Sequence, residues 1–392
     1  MKNGFLSLIK MSKKLYQGVF LILHLVKEKF QTIGSNKHLA QAPLSGHNQA
    51  HYSEIQSSGY FDEDWYRLAY KNEIEYPDDL LLDYIKAGIP NGRDPSPYFN
   101  TILYRREHDV SPEKALAHFL RSGKPIASGA YRDTQALLGA QQAFRAQTET
   151  VLIADRRNSA KPFAVYLQCG VDALWESWMT RLNQPWHLLI NHFDSTYVGK
   201  IPCDVELHQN GGLPGTKFTS FNSLLERHPH ILEPYEYIFL LDDDVYIDNN
   251  DISRLFSAIQ QQGWEMAQPS LSPDSFCSFP VFFNRSTNGW RQVNGVEVMM
   301  PVYSARILGS IKELIVQSIS GWGFDAALSV MAGKQGFRSA VVDDVVAQHT
   351  RLVNADIGQY YQMLHRAQIY PEIEFTHLQK KYRYTKPLFY EI

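Results

Sequence analysis

The chain has 392 residues, 44% of them hydrophobic and 20% charged, which gives apolar material for a large core and length for two or three domains. A net charge of −3, with no zinc-finger spacing and no arginine-rich stripe, excludes nucleic acid as an expected partner. Three widely spaced cysteines, Cys169, Cys203 and Cys277, argue against a disulfide framework and a Cys-x-x-Cys metal site, and fit a reducing, cytoplasmic compartment.

At the N-terminus the apolar run 19–26 is shorter than the roughly 20 residues a bilayer-spanning helix needs. Lys2, Lys10, Lys13, Lys14, Lys27 and Lys29 flank it. This pattern suits a basic helix lying on an anionic membrane surface, so peripheral membrane contact through residues 1–30 is one expectation. A helix packed on the protein itself, or a frayed leader, is the other. Residues 38–58 are rich in Gln, Ser, His, Asn and Gly without an apolar period, which predicts a linker. The first segment, 1–58, is thus read as a basic and apolar helix followed by a polar linker.

Residues 59–130 repeat themselves. The stretch 60–66 (Tyr-Phe-Asp-Glu-Asp-Trp-Tyr) is echoed by 98–104 (Tyr-Phe-Asn-Thr-Ile-Leu-Tyr), and 80–88 by 115–123. Residues 91–97, Asn-Gly-Arg-Asp-Pro-Ser-Pro, are a turn-forming joint between the copies. Two copies of a helical pair predict a small module in which each copy buries its aromatic and leucine stripe against the other. The stretch 60–128 resembles a repeat found ahead of or beside glycosyltransferase domains in bacterial polysaccharide-synthesis proteins, which implies a spacer or docking platform. Residues 131–161 then read as a connecting helix, 134–145, and a polar boundary, 156–161.

From 162 to 392 short apolar strands alternate with amphipathic helices, the texture of an α/β sheet. Strands are predicted at 163–167, 187–191, 237–241, 297–302 and 340–342. Helices are predicted from about Asn250, with Ile252, Leu255, Phe256 and Ile259 on one stripe, and at 305–316 and 324–331. In an open sheet of this kind ligands bind beyond the carboxyl ends of the strands. Of the tryptophans, Trp175, Trp178 and Trp186 are expected in the core.

Three motifs carry chemistry. The apolar run 237–241 leads straight into Asp242, Asp243 and Asp244, whose mutual repulsion calls for a divalent cation; alternate residues let Asp242 and Asp244 face one side. Near the end of the sheet region, His349 offers an imidazole to the same ion and Arg351 a guanidinium fork to phosphate. Between them Ser320-Gly321-Trp322-Gly323-Phe324-Asp325 makes a tight turn that presents an indole. There Asp325 caps the next helix or serves as a general base.

In this order and spacing the three motifs resemble GT-A glycosyltransferases. The triplet resembles their Asp-x-Asp metal motif, Gly321 to Asp325 the Gly-Trp-Gly-x-Glu/Asp acceptor motif of galactosyltransferase-like enzymes, and His349 their late metal-binding histidine. The strings 268–275 and 296–301 resemble an uncharacterised family shared by plants and bacteria, so that the likeness covers about 163–351. In one departure, Asp325 is followed by Ala326 and Ala327 where galactosyltransferases carry a cluster of acids.

The resemblance implies a GT-A (Rossmann-like) mixed sheet flanked by helices, preceded by the small helical repeat domain. It implies Mn2+ or Mg2+ held by Asp242, Asp244 and His349, with Asp325 as base. A nucleotide-diphosphate sugar, UDP-sugar favoured, is the expected donor and a saccharide the acceptor, in cell-surface polysaccharide synthesis, with inversion at the anomeric carbon favoured over retention. Asp194, Lys217, Asp243 and Arg351 are expected on the donor side, and Trp322, Gly323, Glu297 and Asp274 on the acceptor side. Two rivals share the acidic site: an inactive carbohydrate- or nucleotide-binding protein of the same fold, and a metal-dependent phosphoester hydrolase. No Walker loop or Gly-x-Ser-x-Gly elbow supports a kinase or serine hydrolase.

Overall fold

The computed structural model describes residues 46–170, 172–174, 184–211, 213–285, 289–352 and 358–392. Helices α1 (Gly46–Ser58), α2 (Glu63–Ala69), α3 (Leu80–Asp83, continued by a π turn over Tyr84–Gly88), α4 (Thr101–His108) and α5 (Pro112–Arg121) lie in and just before the stretch expected to be a repeat module. The two copies start alike: the Asp62 side chain accepts from the Trp65 N–H, and Asn100, at the echoed position, from the Leu103 N–H. Trp65, Tyr66, Leu80, Tyr84, Phe99, Tyr104, Leu116 and Phe119 fill a shared core.

The Gly-Arg-Asp-Pro joint does more than turn. Arg93 reaches back to fully buried Asp83 at 2.9 Å, and Asp83 also accepts from the Tyr66 hydroxyl at 2.8 Å and from the N–H groups of Glu75 and Tyr76. Removing one partner of such a pair strands the other charge, at a cost of about 3–5 kcal/mol.

Two stretches differ from the sequence expectation. The predicted linker 38–58 holds helix α1 in its second half. Its one fully buried apolar side chain, Ile55, plugs the module core, and the Tyr52 hydroxyl bonds Asp79 at 3.2 Å. A helix anchored at one point has no amphipathic period to read. The apolar run near the N-terminus lies outside the described residues. Among the described residues no helix is long and apolar enough to cross a membrane.

The second difference concerns 131–161. A two-strand hairpin, β1 (Ile126–Ala127) and β2 (Ala130–Tyr131), precedes the expected helix, α6 (Thr134–Ala146), but β3 (Thr148–Asp155) then joins the main sheet at its edge. Thr148 and Thr150 point inward, and polar alternation on a β-branched edge strand reads as a boundary in sequence.

The remaining strands are β4 (Phe163–Cys169), β5 (Trp186–His192), β6 (Val205–Gly211), β7 (Tyr237–Leu241), β8 (Val245–Tyr246), β9 (Met266–Leu271), β10 (Trp290–Val293), β11 (Val302–Ser304) and β12 (Ser339–His349). With β3 they make a ten-stranded mixed sheet in the order β10-β12-β9-β11-β7-β4-β5-β6-β3, with β8 pairing β12 off that path. It is the mixed α/β class that the sequence implies. Helices α7 (Lys217–Arg227), α8 (Pro229–Leu232), α9 (Asn249–Gln262), α10 (Leu308–Ile315), α11 (Phe324–Lys334), α12 (Gln359–Arg366) and α13 (Pro371–Tyr382) complete the chain.

Strand alternation sets the two faces. Val165, Leu167, Phe239 and Leu241 pack with the α9 stripe Ile252, Leu255, Phe256 and Ile259, while Ala164, Tyr166, Ile238 and Leu240 pack with α7, α10 and α11. Trp186 is fully buried, and Trp175 and Trp178 lie outside the described residues. All seven residues of β4 and of β5 are buried, as central parallel strands require. Each large side chain so buried contributes about 1.5–3 kcal/mol. The strand expected at 297–302 is only Val302–Ser304; the stretch before it runs as a loop beneath the acidic triplet.

Candidate active site

Pairing directions place the triplet and His349 at one edge. Strands β4, β5 and β7 are mutually parallel, β11 is antiparallel to both β7 and β9, and β12 is parallel to β9. The carboxyl ends of β7 and β12 therefore open the same way. Strand β8, directly after the triplet, then pairs with the end of β12, His349 opposite Val245. The backbone ties the corner shut, since Thr350 N–H and its hydroxyl both donate to the Asp244 carbonyl at 3.0 and 2.8 Å.

Each aspartate has its own partner. Asp244 Oδ2 lies 3.3 Å from His349 Nε2. Burial alone would raise its pKa, but the imidazole bond and charge hold Asp244 below the usual carboxylate range, and the same pairing overcomes burial to raise His349. The Nδ1 of His349 is 2.7 Å from the Phe276 carbonyl, which can only accept, so Nδ1 carries a proton and Nε2 faces Asp244: protonated, it donates to that carboxylate, and deprotonated, it offers a lone pair to a cation. The Ser275 hydroxyl accepts the His349 N–H at 3.2 Å. Histidines that ligate metals commonly donate their far N–H to a carbonyl in this way.

Asp242 Oδ1 sits 2.5 Å from the Lys217 ammonium, which also donates to the carbonyls of Val298 and Met299. Lys217 begins α7 behind the Thr216 capping box and is only 9% exposed. The lysine expected to meet a diphosphate is thus already the counter-charge of Asp242, clamping it to the 298–299 loop. Burial still pushes the Asp242 pKa up against that pull, with Asp244 adding to the rise, although 32% of its side chain meets solvent. Asp243 turns to the other side: its Oδ2 accepts from Gly170 N–H at 3.1 Å, past the end of β4, and its Oδ1 faces Arg351 at 3.4 Å. Burial brings it to about 6, with Arg351 opposing. Arg351 also donates to the Asp172 carbonyl and is 45% exposed.

The donor chemistry of the corner fits a hard or borderline divalent ion: a carboxylate and an oriented imidazole together, with a second carboxylate from the same strand end. Among the described residues no three His, Cys, Asp or Glu side chains stand grouped as a finished metal cage. Asp242 Oδ1 is engaged by Lys217 instead.

Two further carboxyls lie behind the triplet. Glu297, 3% exposed, is pushed up to about 8 by burial, with Asp325 adding to the rise and His349 opposing it. Its Oε1 has no hydrogen-bond partner among the described residues, its Oε2 lies 3.8 Å from the Cys277 thiol, and its N–H donates to Gln268. Asp325 is pushed up to about 7 by burial, partly offset by backbone N–H groups including that of Ala326 at 2.8 Å. The N-cap of α11 is Gly323 and not Asp325. At φ +76, with an added Cβ 2.5 Å from the Tyr384 hydroxyl and 3.1 Å from Phe375 Cα, only glycine fits there.

The remaining expected residues are placed as follows. Trp322 is half-buried and donates its indole N–H to the Tyr361 hydroxyl at 3.3 Å. Asp194 sits past the end of β5 but caps the turn Ser195–Tyr197, and hydrogen bonds from Thr196 lower its pKa. Asp274 is exposed on the turn after β9, where its neighbour Ser275 is the residue that reaches His349. Sequence reasoning missed Gly170, Ser275, Phe276, Tyr360 and Tyr361. Only Gly170, directly after an apolar strand, carried a local signal.

Comparison with known proteins gives a family model described as a protein of unknown function (DUF707), which matches residues 225–294. That span holds the triplet and stops short of Glu297, Asp325 and His349. No curated protein matches the sequence. Among solved structures, S. aureus TarS residues 1–349 in complex with UDP aligns with TM-score 0.33 and 13% identity, over 53% of this chain and 64% of that one. The complex of the same TarS fragment with UDP-GlcNAc gives 0.32 and 13% over 52% and 65%, and a further TarS structure 0.33 and 12% over 52% and 38%. The chain spans less than two thirds of the length of each.

Proposed function

We propose that this protein is a metal-dependent glycosyltransferase that moves a sugar from a nucleoside diphosphate, UDP favoured, to a saccharide acceptor. The observation that carries the reading is the Asp244–His349 pair, with its imidazole locked through Nδ1 to the Phe276 carbonyl, two residues after Asp242 at the carboxyl end of a central strand. Asp244 and His349, with Asp242 turned in from Lys217, would hold Mn2+ or Mg2+. Such an ion supplies Lewis-acid charge to a leaving diphosphate.

The chain's own residues do the rest. Arg351, exposed beside Asp243, reaches a phosphate oxygen. Asp325 takes the proton of the acceptor hydroxyl as that oxygen bonds to the anomeric carbon, while the bond from that carbon to the diphosphate oxygen breaks with its electron pair on the departing UDP. A pKa brought to about 7 by burial lets one carboxyl be ionised at neutral pH and still be a useful base. A single displacement of this kind inverts the anomeric carbon.

The test is turnover of a panel of UDP-hexoses by the full chain with Mn2+, read by mass spectrometry. The expected products are UDP and free or transferred sugar. Inorganic phosphate released from a simple ester such as p-nitrophenyl phosphate, with no UDP formed from the UDP-hexoses, would identify a phosphoester hydrolase instead, and UDP binding without any turnover an inactive binding protein.

A further inference from the structure

Helices α12 and α13 follow the last motif and carry no sequence signal, yet they pack against the Ser320–Gly323 turn. The Tyr360 hydroxyl donates to the Ser320 carbonyl at 3.1 Å and lies within hydrogen-bond reach of Thr216, the cap of α7. Tyr361 accepts the Trp322 indole N–H. The three rings meet edge to face, Trp322 to Tyr361 at 6.0 Å and Tyr360 to Tyr361 at 5.2 Å. Both tyrosines lie close enough to Asp242 to feel its charge, and Tyr360 leaves 38% of its surface open to solvent.

The wall is braced from behind. Glu374 of α13 is fully buried and accepts the N–H groups of Ile319 and Ser320 at 2.9 and 2.8 Å and the Gln141 amide of α6 at 2.7 Å. It thereby fixes the start of the Gly321–Trp322–Gly323 turn to two helices outside the sheet. Rings held in this way lose little freedom when a ligand arrives.

From this placement we propose that Tyr360 and Tyr361 join Trp322, already expected on the acceptor side, in a wall that takes a pyranose ring of the saccharide acceptor, with Glu374 as the residue that positions the wall. The proposal rests on the glycosyltransferase reading above. A pyranose has an apolar C–H face and a hydroxyl rim; the exposed rings match the first, and the Tyr360 hydroxyl and the nearby carboxylates match the second.

The experiment uses the full chain loaded with UDP and Mn2+, and as probes malto-, cello-, chito-, xylo-, galacto- and manno-oligosaccharides, followed by saturation-transfer NMR. At least one probe is expected to bind, about tenfold or more weaker in Tyr360→Ala and Tyr361→Ala. Tyr360→Phe, which keeps the ring and loses only the hydroxyl, weakens binding less than Tyr360→Ala does. UDP affinity, measured by calorimetry on the same samples, stays within about twofold of wild type. Should Tyr361→Ala lose UDP binding through misfolding, the exposed Tyr360 decides alone. No saccharide bound to the UDP-loaded protein, or equal binding by the Tyr360 variants, overturns the wall and leaves the donor site intact. Absence of UDP binding to wild type overturns the glycosyltransferase reading, and the wall with it.

Discussion

His349→Ala is expected to weaken Mn2+ binding about a hundredfold or more and to lower donor turnover with it. The imidazole is 4% exposed and held at three points: its ring by Phe276 and Asp244, its backbone by Ser275. Losing a donor costs more than losing the partner that orients it, which in metal sites costs about 10- to 100-fold. Ser275→Ala, which frees only the backbone of His349, should therefore fall at the lower end of that range or below. Because the pairing with Asp244 raises His349, protons compete with the metal for Nε2 in wild type, so the deficit should narrow as pH falls. Mn2+ titration followed by electron paramagnetic resonance measures the affinity directly. An unchanged Mn2+ affinity in His349→Ala would remove the histidine from the site.

The second large effect is expected at the buried acids. Asp325→Asn should cut turnover by about 10²- to 10⁴-fold while UDP still binds, because it deletes the base and leaves the triplet untouched. In wild type the rate should rise with pH through about 7 as Asp325 ionises, and the variant should lack that limb. Stability runs the opposite way. Folding raises Asp325 from 3.8 to about 7 and Glu297 from 4.5 to about 8, so the folded chain keeps protons that the unfolded chain gives up. The stability tied to these protons is complete below about pH 4, declines as pH rises, and is lost once pH passes about 8. A tenfold change in proton affinity between the folded and unfolded chain corresponds to about 1.4 kcal/mol. Asp325→Asn and Glu297→Gln, which cannot ionise, should accordingly melt about 3 °C or more above wild type at pH 9 and show no such gain at pH 4. Equal melting differences at the two pH values would show that neither carboxyl is held protonated by its surroundings.

Legibility in sequence followed how local each signal was. Strand β7 and the α9 stripe could be read residue by residue, because an apolar run of five and a 3.6-residue period are properties of a single element. The meeting of Asp244 with His349 depends on a two-residue ladder between β8 and β12, over 100 positions apart, for which sequence offered order and spacing but no distance. Lys217 illustrates the limit. Its place at a helix start was readable, but its engagement with Asp242 and two carbonyls of a loop some 80 residues away was not. Asp325 resembled an N-cap because acids favour helix starts, whereas the close approach of Tyr384 and Phe375 gives that position to Gly323. Glu374 and the paired tyrosines had no motif at all. Their relation to the turn at 319–323 exists only once α12 and α13 have packed beside it.

Calorimetric titration of UDP into the full chain, with Mn2+ and again with the metal chelated, tests the metal–diphosphate site most directly. Saturable binding that requires Mn2+, weakens about a hundredfold or more on chelation and is lost in Asp244→Ala is the predicted result. Binding of equal strength in both conditions, or none in either, would contradict it.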